Sequence, residues 1–276
     1  YIDIDVAVTT CPEAYARKVA SHTGGSMVRL GKAPRKIYRV VSPGHIIDIS
    51  KIHGDCIHQD LLARDFTINA LAYDLETGKI IDPGQGIRDL HDHKIRLVSK
   101  QAFEQDPLRM LRAFRFGAEM QFEIEPETLR AIKEKSMSIE HSAKERVREE
   151  LFKLLVSPNS YPYLLQMAEA SILQAVFPEM IQRQKGLSPV ISESLDHTLS
   201  AYYNLEKLLN RRPDGVLEKS IPRHSDNTLL KFAILIHALD NSGTFRKNKK
   251  QGPPCGIDDI NRSEEHTSEL QSLLII

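Results

Sequence analysis

The chain has 276 residues, with 37 Lys and Arg against 37 Asp and Glu, so its formal net charge is zero. That length suggests two domains or one domain with a helical extension, and the balanced charge confines any polyanion-binding surface to a local cluster. Three cysteines, Cys11, Cys56 and Cys255, are widely spaced and odd in number, which excludes a disulfide framework or a zinc site, and no apolar run reaches membrane-spanning length, which reads as a cytoplasmic protein.

Residues 1–8 alternate strictly and predict a strand, with Ile2, Ile4, Val6 and Val8 on a buried face and Asp3 and Asp5 together on the other. Aspartate is depleted in strands and like charges repel, so the pair calls for a partner. Mg2+ suits it, because a hard cation is bound through one or two carboxylates plus substrate phosphates; a half-solvated edge strand accounts for the motif equally well. Residues 12–22 read as a helix. Gly24, Gly25 and Gly31, with basic Arg29, Lys32, Arg35, Lys36 and Arg39, read either as a mobile basic loop over substrate or as a glycine turn beside a solvated charge run. A second alternating stretch, residues 46–50, carries Asp48, a candidate third carboxylate or an ordinary surface residue. Residues 82–86, Asp-Pro-Gly-Gln-Gly, read as a structural turn.

Asp106 and Pro107 are a good N-cap and first residue for a helix over 107–120. Arg109, Arg112 and Arg115 follow at intervals of three, drifting only about 60° per step, so their guanidinium groups share one broad face suited to a polyanion. The competing reading is an exposed charged face with Asp106 and Arg109 as an i,i+3 pair. Further helices are expected over 126–136, 143–155, 161–174 and 198–209.

Five motifs stand in order: Ile2-Asp3-Ile4-Asp5; Arg64-Asp65-Phe66-Thr67-Ile68-Asn69; residues 80–90 with Ile95-Arg96-Leu97-Val98; Gln105-Asp106-Pro107-Leu108-Arg109; and Glu145-Arg146-Val147-Arg148-Glu149-Glu150-Leu151. In order and spacing, from Tyr1 to about Pro158, the chain resembles the bacterial class II tRNA nucleotidyltransferases (CCA-adding, CC-adding and A-adding enzymes) and their poly(A) polymerase relatives. The resemblance implies a polymerase-β-like α/β nucleotidyltransferase head followed by an all-α neck and body. It implies an enzyme that binds ATP and CTP and adds AMP and/or CMP to the 3′ end of tRNA or another RNA, releasing pyrophosphate. Asp3 and Asp5 would be the catalytic carboxylates that hold Mg2+, with Asp48 a candidate third. Arg64 would contact the triphosphate, Asp65 would accept from the ribose 2′-hydroxyl and Asn69 would help hold the nucleotide. Asp106 and Arg109 would read the base edge in place of a nucleic-acid template, leaving Arg112 and Arg115 for phosphates.

The family pattern has a second arginine where this chain has Ala63, and a glutamate where it has Gln105. A glycine-rich strand upstream of the Asp pair is missing, and residues 262–272 resemble translated sequencing adapter, so the chain reads as a fragment truncated on both sides and a poor enzyme as it stands. The expected division is 1–98 head, 99–158 neck with the recognition helix, 159–250 body and 251–276 non-native tail. In the body, Asp196-His197 and His237-Ala238 resemble a degenerate HD phosphohydrolase domain whose dipeptide has lost its Asp, which favours a retained helical scaffold over a metal site. Poly(A) polymerase activity and an HD-type metal-dependent hydrolase are the alternative functions.

Overall fold

Alternation along the first residues does produce a strand, β1 (Ile2–Val8), but its apolar side is only half covered. The structure, a computed structural model, describes residues 2–31, 36–178, 193–210 and 224–240, with the backbone alone for 193–194, 224–226 and 237–240. It divides into two compact units, Tyr1–Gly86 and Ile87–Ile276.

In the first unit β1 is followed by α1 (Pro12–Thr23), β2 (Ser26–Leu30), β3 (Ile37–Ser42) and β4 (His45–Lys51). Pro12 starts α1 without sacrificing a hydrogen bond, and Gly24 at φ 64° ends it. The sheet order is β1-β4-β3-β2, with β1 parallel to β4 and β3 antiparallel to both neighbours. α1 lies over β3 and β4, and its Ala16 packs on Tyr38, Val40 and Ile49, with Val6, Val8 and Ile47 around them. The expectation of a fully buried Ile2 and Ile4 is therefore corrected: they are 61% and 40% exposed. β1 lies at the sheet edge, and the core beneath α1 takes in only its C-terminal half.

Of the basic residues between the glycines and β4, Arg29 and Arg39 are strand residues, in β2 and β3, while Lys32 and Arg35 fall outside the described residues. The unit continues with α2 (Ile57–Leu62), a 3-10 turn over Thr67–Asn69 and the hairpin β5 (Ala72–Asp74) to β6 (Lys79–Ile81). In the 82–86 turn the Asp82 carboxylate accepts from the Gly86 N–H at 2.7 Å. A side chain at Gly86 would collide with the Thr67 carbonyl, so this turn backs the Arg64–Asn69 segment at a distance only glycine permits.

The second unit takes up α3 (Gly86–His91), which starts on the last residue of the first, then β7 (Lys94–Ile95), α4 (Gln101–Gln105), α5 (Arg109–Met120) and β8 (Glu123–Ile124). It goes on through α6 (Pro126–Lys135), α7 (Lys144–Val156), α8 (Tyr161–Glu169), α9 (Ile172–Val176), α10 (Glu193–Asn210) and α11 (His224–Asp240). Among the described residues its one sheet is the two-residue parallel pair β7–β8, and its other elements are helices. Arg96 ties together the two halves of the third sequence motif, donating to buried Asp89 at 3.1 and 3.0 Å, and also donates to Glu125 at 2.6 Å. The helix expected over 161–174 is broken, because Ser171 takes φ 61° and separates α8 from α9.

Two contacts position α5 and the body. Gly117 of α5 lies so close to the Tyr163 ring of α8 that an added Cβ would come within 2.5 Å of it. In the body, Glu206 of α10 caps α8: its carboxylate accepts from Ser160 N at 2.8 Å, Ser160 Oγ at 2.6 Å and Tyr161 N at 3.0 Å. Lys231 of α11 donates to the same carboxylate at 2.7 Å and to the Ser157 carbonyl at 2.7 Å.

Candidate active site

The face of the β1–β4 sheet away from α1 carries the acidic residues. The parallel register places Asp5 beside Asp48, and the hairpin register places Asp48 opposite Arg39, so the row across the strands runs Asp5, Asp48, Arg39. Arg39 forks Asp48 with two bonds of 2.8 Å. This holds the Asp48 carboxyl below its ordinary value and pushes the guanidinium up, the hydrogen bond being the largest cause and the Asp3 and Asp5 carboxylates adding to it. Asp3 and Asp5 themselves are exposed, and among the described residues neither makes a hydrogen bond or ion pair of its own. Two oxygen-rich side chains at i and i+2, with lone pairs available, suit a hard divalent cation. Among the described residues no group of three or more His, Cys, Asp or Glu side chains converges, so Asp48 does not complete a three-carboxylate cluster.

Arg64, Asp65 and Asn69 are tied into one element by the 3-10 turn. Asp65 is buried at 6% exposure, and its Oδ1 accepts from Phe66 N at 2.9 Å and Asn69 Nδ2 at 3.2 Å. Arg64 donates to the Asn69 carbonyl at 3.1 Å and lies 3.6 Å from Asp60.

In the second unit Asp106 sits between α4 and α5 in an extended conformation. Its Oδ1 accepts from Leu108 N at 3.2 Å, the side-chain geometry of a cap, although α5 proper begins at Arg109 rather than at 107. The i,i+3 pairing with Arg109 is replaced by a distant one: Asp106 Oδ2 accepts from Arg146 of α7 at 2.7 Å, while Arg109 donates to the Ala102 carbonyl at 3.3 Å. The three arginines of α5 also differ in their surroundings. The Arg112 guanidinium lies 5.2 Å from the Phe116 ring centre. Arg115 stacks on the same ring at 4.0 Å and donates to Glu150 at 2.6 Å and Glu119 at 2.8 Å. To reach a phosphate it would have to leave a carboxylate. In the body Asp196 and His197 are exposed on α10, and the side chains of His237 and Asp240 lie outside the described residues.

Sequence reasoning missed Arg39, Arg146 and Glu150 as partners of the site residues. Arg39 was legible: counting outward from the two-residue turn Pro43-Gly44 pairs Ser42 with His45 and Arg39 with Asp48. Arg146 and Asp106 are 40 positions apart, and no local pattern links them.

Residues 48–96 match the poly A polymerase head domain, and residues 121–183 match the probable RNA and SrmB-binding site of polymerase A. A CC-adding tRNA nucleotidyltransferase from Geobacter sulfurreducens is 41% identical over 177 residues, 63% of this chain and 41% of that protein. The chain belongs to the tRNA nucleotidyltransferase and poly(A) polymerase family. Another family member, an A-adding tRNA nucleotidyltransferase from Deinococcus radiodurans, is 32% identical over 246 residues, 87% of this chain and 53% of that protein. Among solved structures of the family, the Thermotoga maritima CCA-adding enzyme complexed with tRNA superposes with a TM-score of 0.66 at 25% identity, covering 91% of this chain and 58% of that one. The likeness extends the nucleotidyltransferase head and the helices after it over most of the described residues. The chain spans about half the length, or less, of these curated relatives.

Proposed function

We propose that the protein is a template-independent RNA nucleotidyltransferase that adds CMP and/or AMP from CTP or ATP to the 3′ end of tRNA, releasing pyrophosphate, in the cytoplasm. The proposal takes residues 1–98 as the head, 99–158 as the neck and 159–250 as the body. The observation that carries it is the open sheet face on which Asp3 and Asp5 stand together while Asp48 is neutralised by Arg39.

In-line transfer needs the 3′-hydroxyl and the α-phosphorus brought into line and the charge on the phosphates balanced, with little covalent work for the protein. Asp3 and Asp5 would hold Mg2+, which when bound lowers the hydroxyl pKa and neutralises charge on the phosphates. Arg64, fixed by the Asn69 carbonyl, offers its guanidinium to the triphosphate. Asp65 offers an acceptor to the ribose 2′-hydroxyl, and its bonds to Phe66 N and Asn69 keep that carboxylate in one orientation. Asp106 and Arg109 offer an acceptor and a donor to the base edge. Arg112 and Arg115 border the same helix as phosphate contacts, Arg115 by exchanging a carboxylate for the phosphate.

The test supplies the full-length protein with Mg2+ and tRNAs ending before CCA, after C and after CC, each with CTP or ATP alone. Addition of CMP, AMP or both in the CCA order supports the proposal and states which step the protein performs. Repeated AMP addition irrespective of the end would assign poly(A) polymerase instead, and release of phosphate without extension would favour the hydrolase.

A further inference from the structure

We propose that Arg146 is a specificity-positioning residue: it orients the Asp106 carboxylate as an acceptor, so discrimination among bases depends on an α7 side chain that never touches the nucleotide. The inference rests on the base-reading role proposed for Asp106.

The geometry that carries it is a carboxylate pinned at both oxygens. Oδ1 accepts from Leu108 N at 3.2 Å and Oδ2 accepts from the Arg146 guanidinium at 2.7 Å. One bond leaves a carboxylate free to rotate about the bonded oxygen; two bonds from different elements fix its plane. A carboxylate oxygen has two lone-pair sites, so each remains able to accept a further bond. Adenine and cytosine present an amino donor beside a ring-nitrogen acceptor, whereas guanine and uracil present a keto acceptor beside an N–H donor. A fixed, ionised Asp106 beside the Arg109 donor matches the first pattern and sets acceptor against acceptor in the second. Arg146 is what keeps that carboxylate fixed and balanced in charge.

Its surroundings favour a positioning role over a purely structural one. The Arg146 side chain is 54% exposed and the Asp106 side chain 29%, and an ion pair at such exposure adds about 1 kcal/mol or less to folding. The neighbouring pair one helical turn on, Arg115 with Glu150, joins α5 to α7 with side chains only 12% and 8% exposed. Arg146 adds little to holding the helices together, and its contact falls on the carboxylate proposed to read the base.

The experiment measures kcat/KM for ATP, CTP, GTP and UTP with the full-length protein carrying Arg146→Ala, Arg146→Gln, Arg146→Lys, Asp106→Ala, and Arg146→Ala combined with Asp106→Ala. Equilibrium dialysis of labelled ATP and GTP serves as a readout free of chemistry. Arg146→Ala is expected to lower the ATP:GTP and CTP:UTP ratios by about tenfold in both measurements. Arg146→Gln, which keeps the packing of the stem, should do the same, while Arg146→Lys restores part of the ratio and thermal unfolding is unchanged throughout. In the Asp106→Ala background Arg146→Ala should change the ratios no further. If Asp106→Ala alters the ratios but Arg146→Ala lowers all four nucleotides alike, the positioning role is refuted and base reading by Asp106 stands. If Asp106→Ala leaves the ratios unchanged, base reading itself fails and the role of Arg146 falls with it.

Discussion

Replacing Glu206 with alanine should destabilise the second unit more than any other single change in the body. The residue is 5% exposed and its carboxylate receives four donors: Ser160 N, Ser160 Oγ, Tyr161 N and Lys231 Nζ. Without it, the hydrogen-bond partners left to Lys231, at 3% exposure, among the described residues are the Ser157 carbonyl at 2.7 Å and Ser160 Oγ at 3.2 Å, and α8 loses its cap. Burial already pushes the Lys231 ammonium below its ordinary pKa, against the opposing pull of Glu206. Breaking such a buried pair costs about 3–5 kcal/mol, and because the cap overlaps with it we expect about 4 kcal/mol for Glu206→Ala. Lys231→Met should cost less, about 2 kcal/mol, because the carboxylate keeps three donors. Glu206→Leu with Lys231→Met leaves no buried charge, so the pair should be less harmful than Glu206→Ala alone. Urea unfolding gives the three energies, and amide exchange at Ser160 and Tyr161 reports whether the N-terminus of α8 opens first. A loss below about 1 kcal/mol for Glu206→Ala, or a double variant worse than that single one, would refute this reasoning.

Asp3→Ala or Asp5→Ala should abolish nucleotide addition while leaving the circular dichroism spectrum and tRNA binding nearly intact; turnover within about tenfold of the parent would exclude both from the metal site. Asp65→Ala should erode the preference for ATP over dATP in kcat/KM, since the 2′-hydroxyl loses its acceptor, and an unchanged ratio would show that the carboxylate faces elsewhere. Asp48 has a folded pKa lowered by Arg39, so its contribution to stability is present above the unfolded value near 4 and is lost as pH falls through the lowered folded value. Acid unfolding of Asp48→Asn should lack that part of the slope; identical acid profiles would mean the Arg39 fork does not stabilise the sheet. Gly117→Ala should destabilise through the Tyr163 ring in spite of alanine's better helix propensity, and a raised Tm would contradict the close approach of α5 and α8.

The head, the helical remainder and the ordered motifs were readable because each rests on local rules. Alternation with period two yielded β1 and β4, Pro12 and Pro126 marked helix starts, and the step of three along residues 109–115 put the arginines on one helix. The limits of that reading are equally specific. Ile2 and Ile4 obey the strand pattern but stay exposed, since burial depends on what covers the face and the core under α1 stops at Val6. Residues 161–174 keep a helical pattern through Ser171, whose left-handed backbone no periodicity announces.

What the sequence determined alone is the chemistry available: two carboxylates on one strand face, an Arg-Asp-Phe-Thr turn, and an acidic residue before an arginine helix. Only the tertiary structure decided how those groups are spent. It set Arg146 against Asp106 and Arg115 against Glu150, pairs that join residues 40 and 35 positions apart. The choice of partner among many similar charges is made when helices pack, because packing decides which charges come within hydrogen-bonding distance; of the two pairs only Arg115 with Glu150 is also shielded from water.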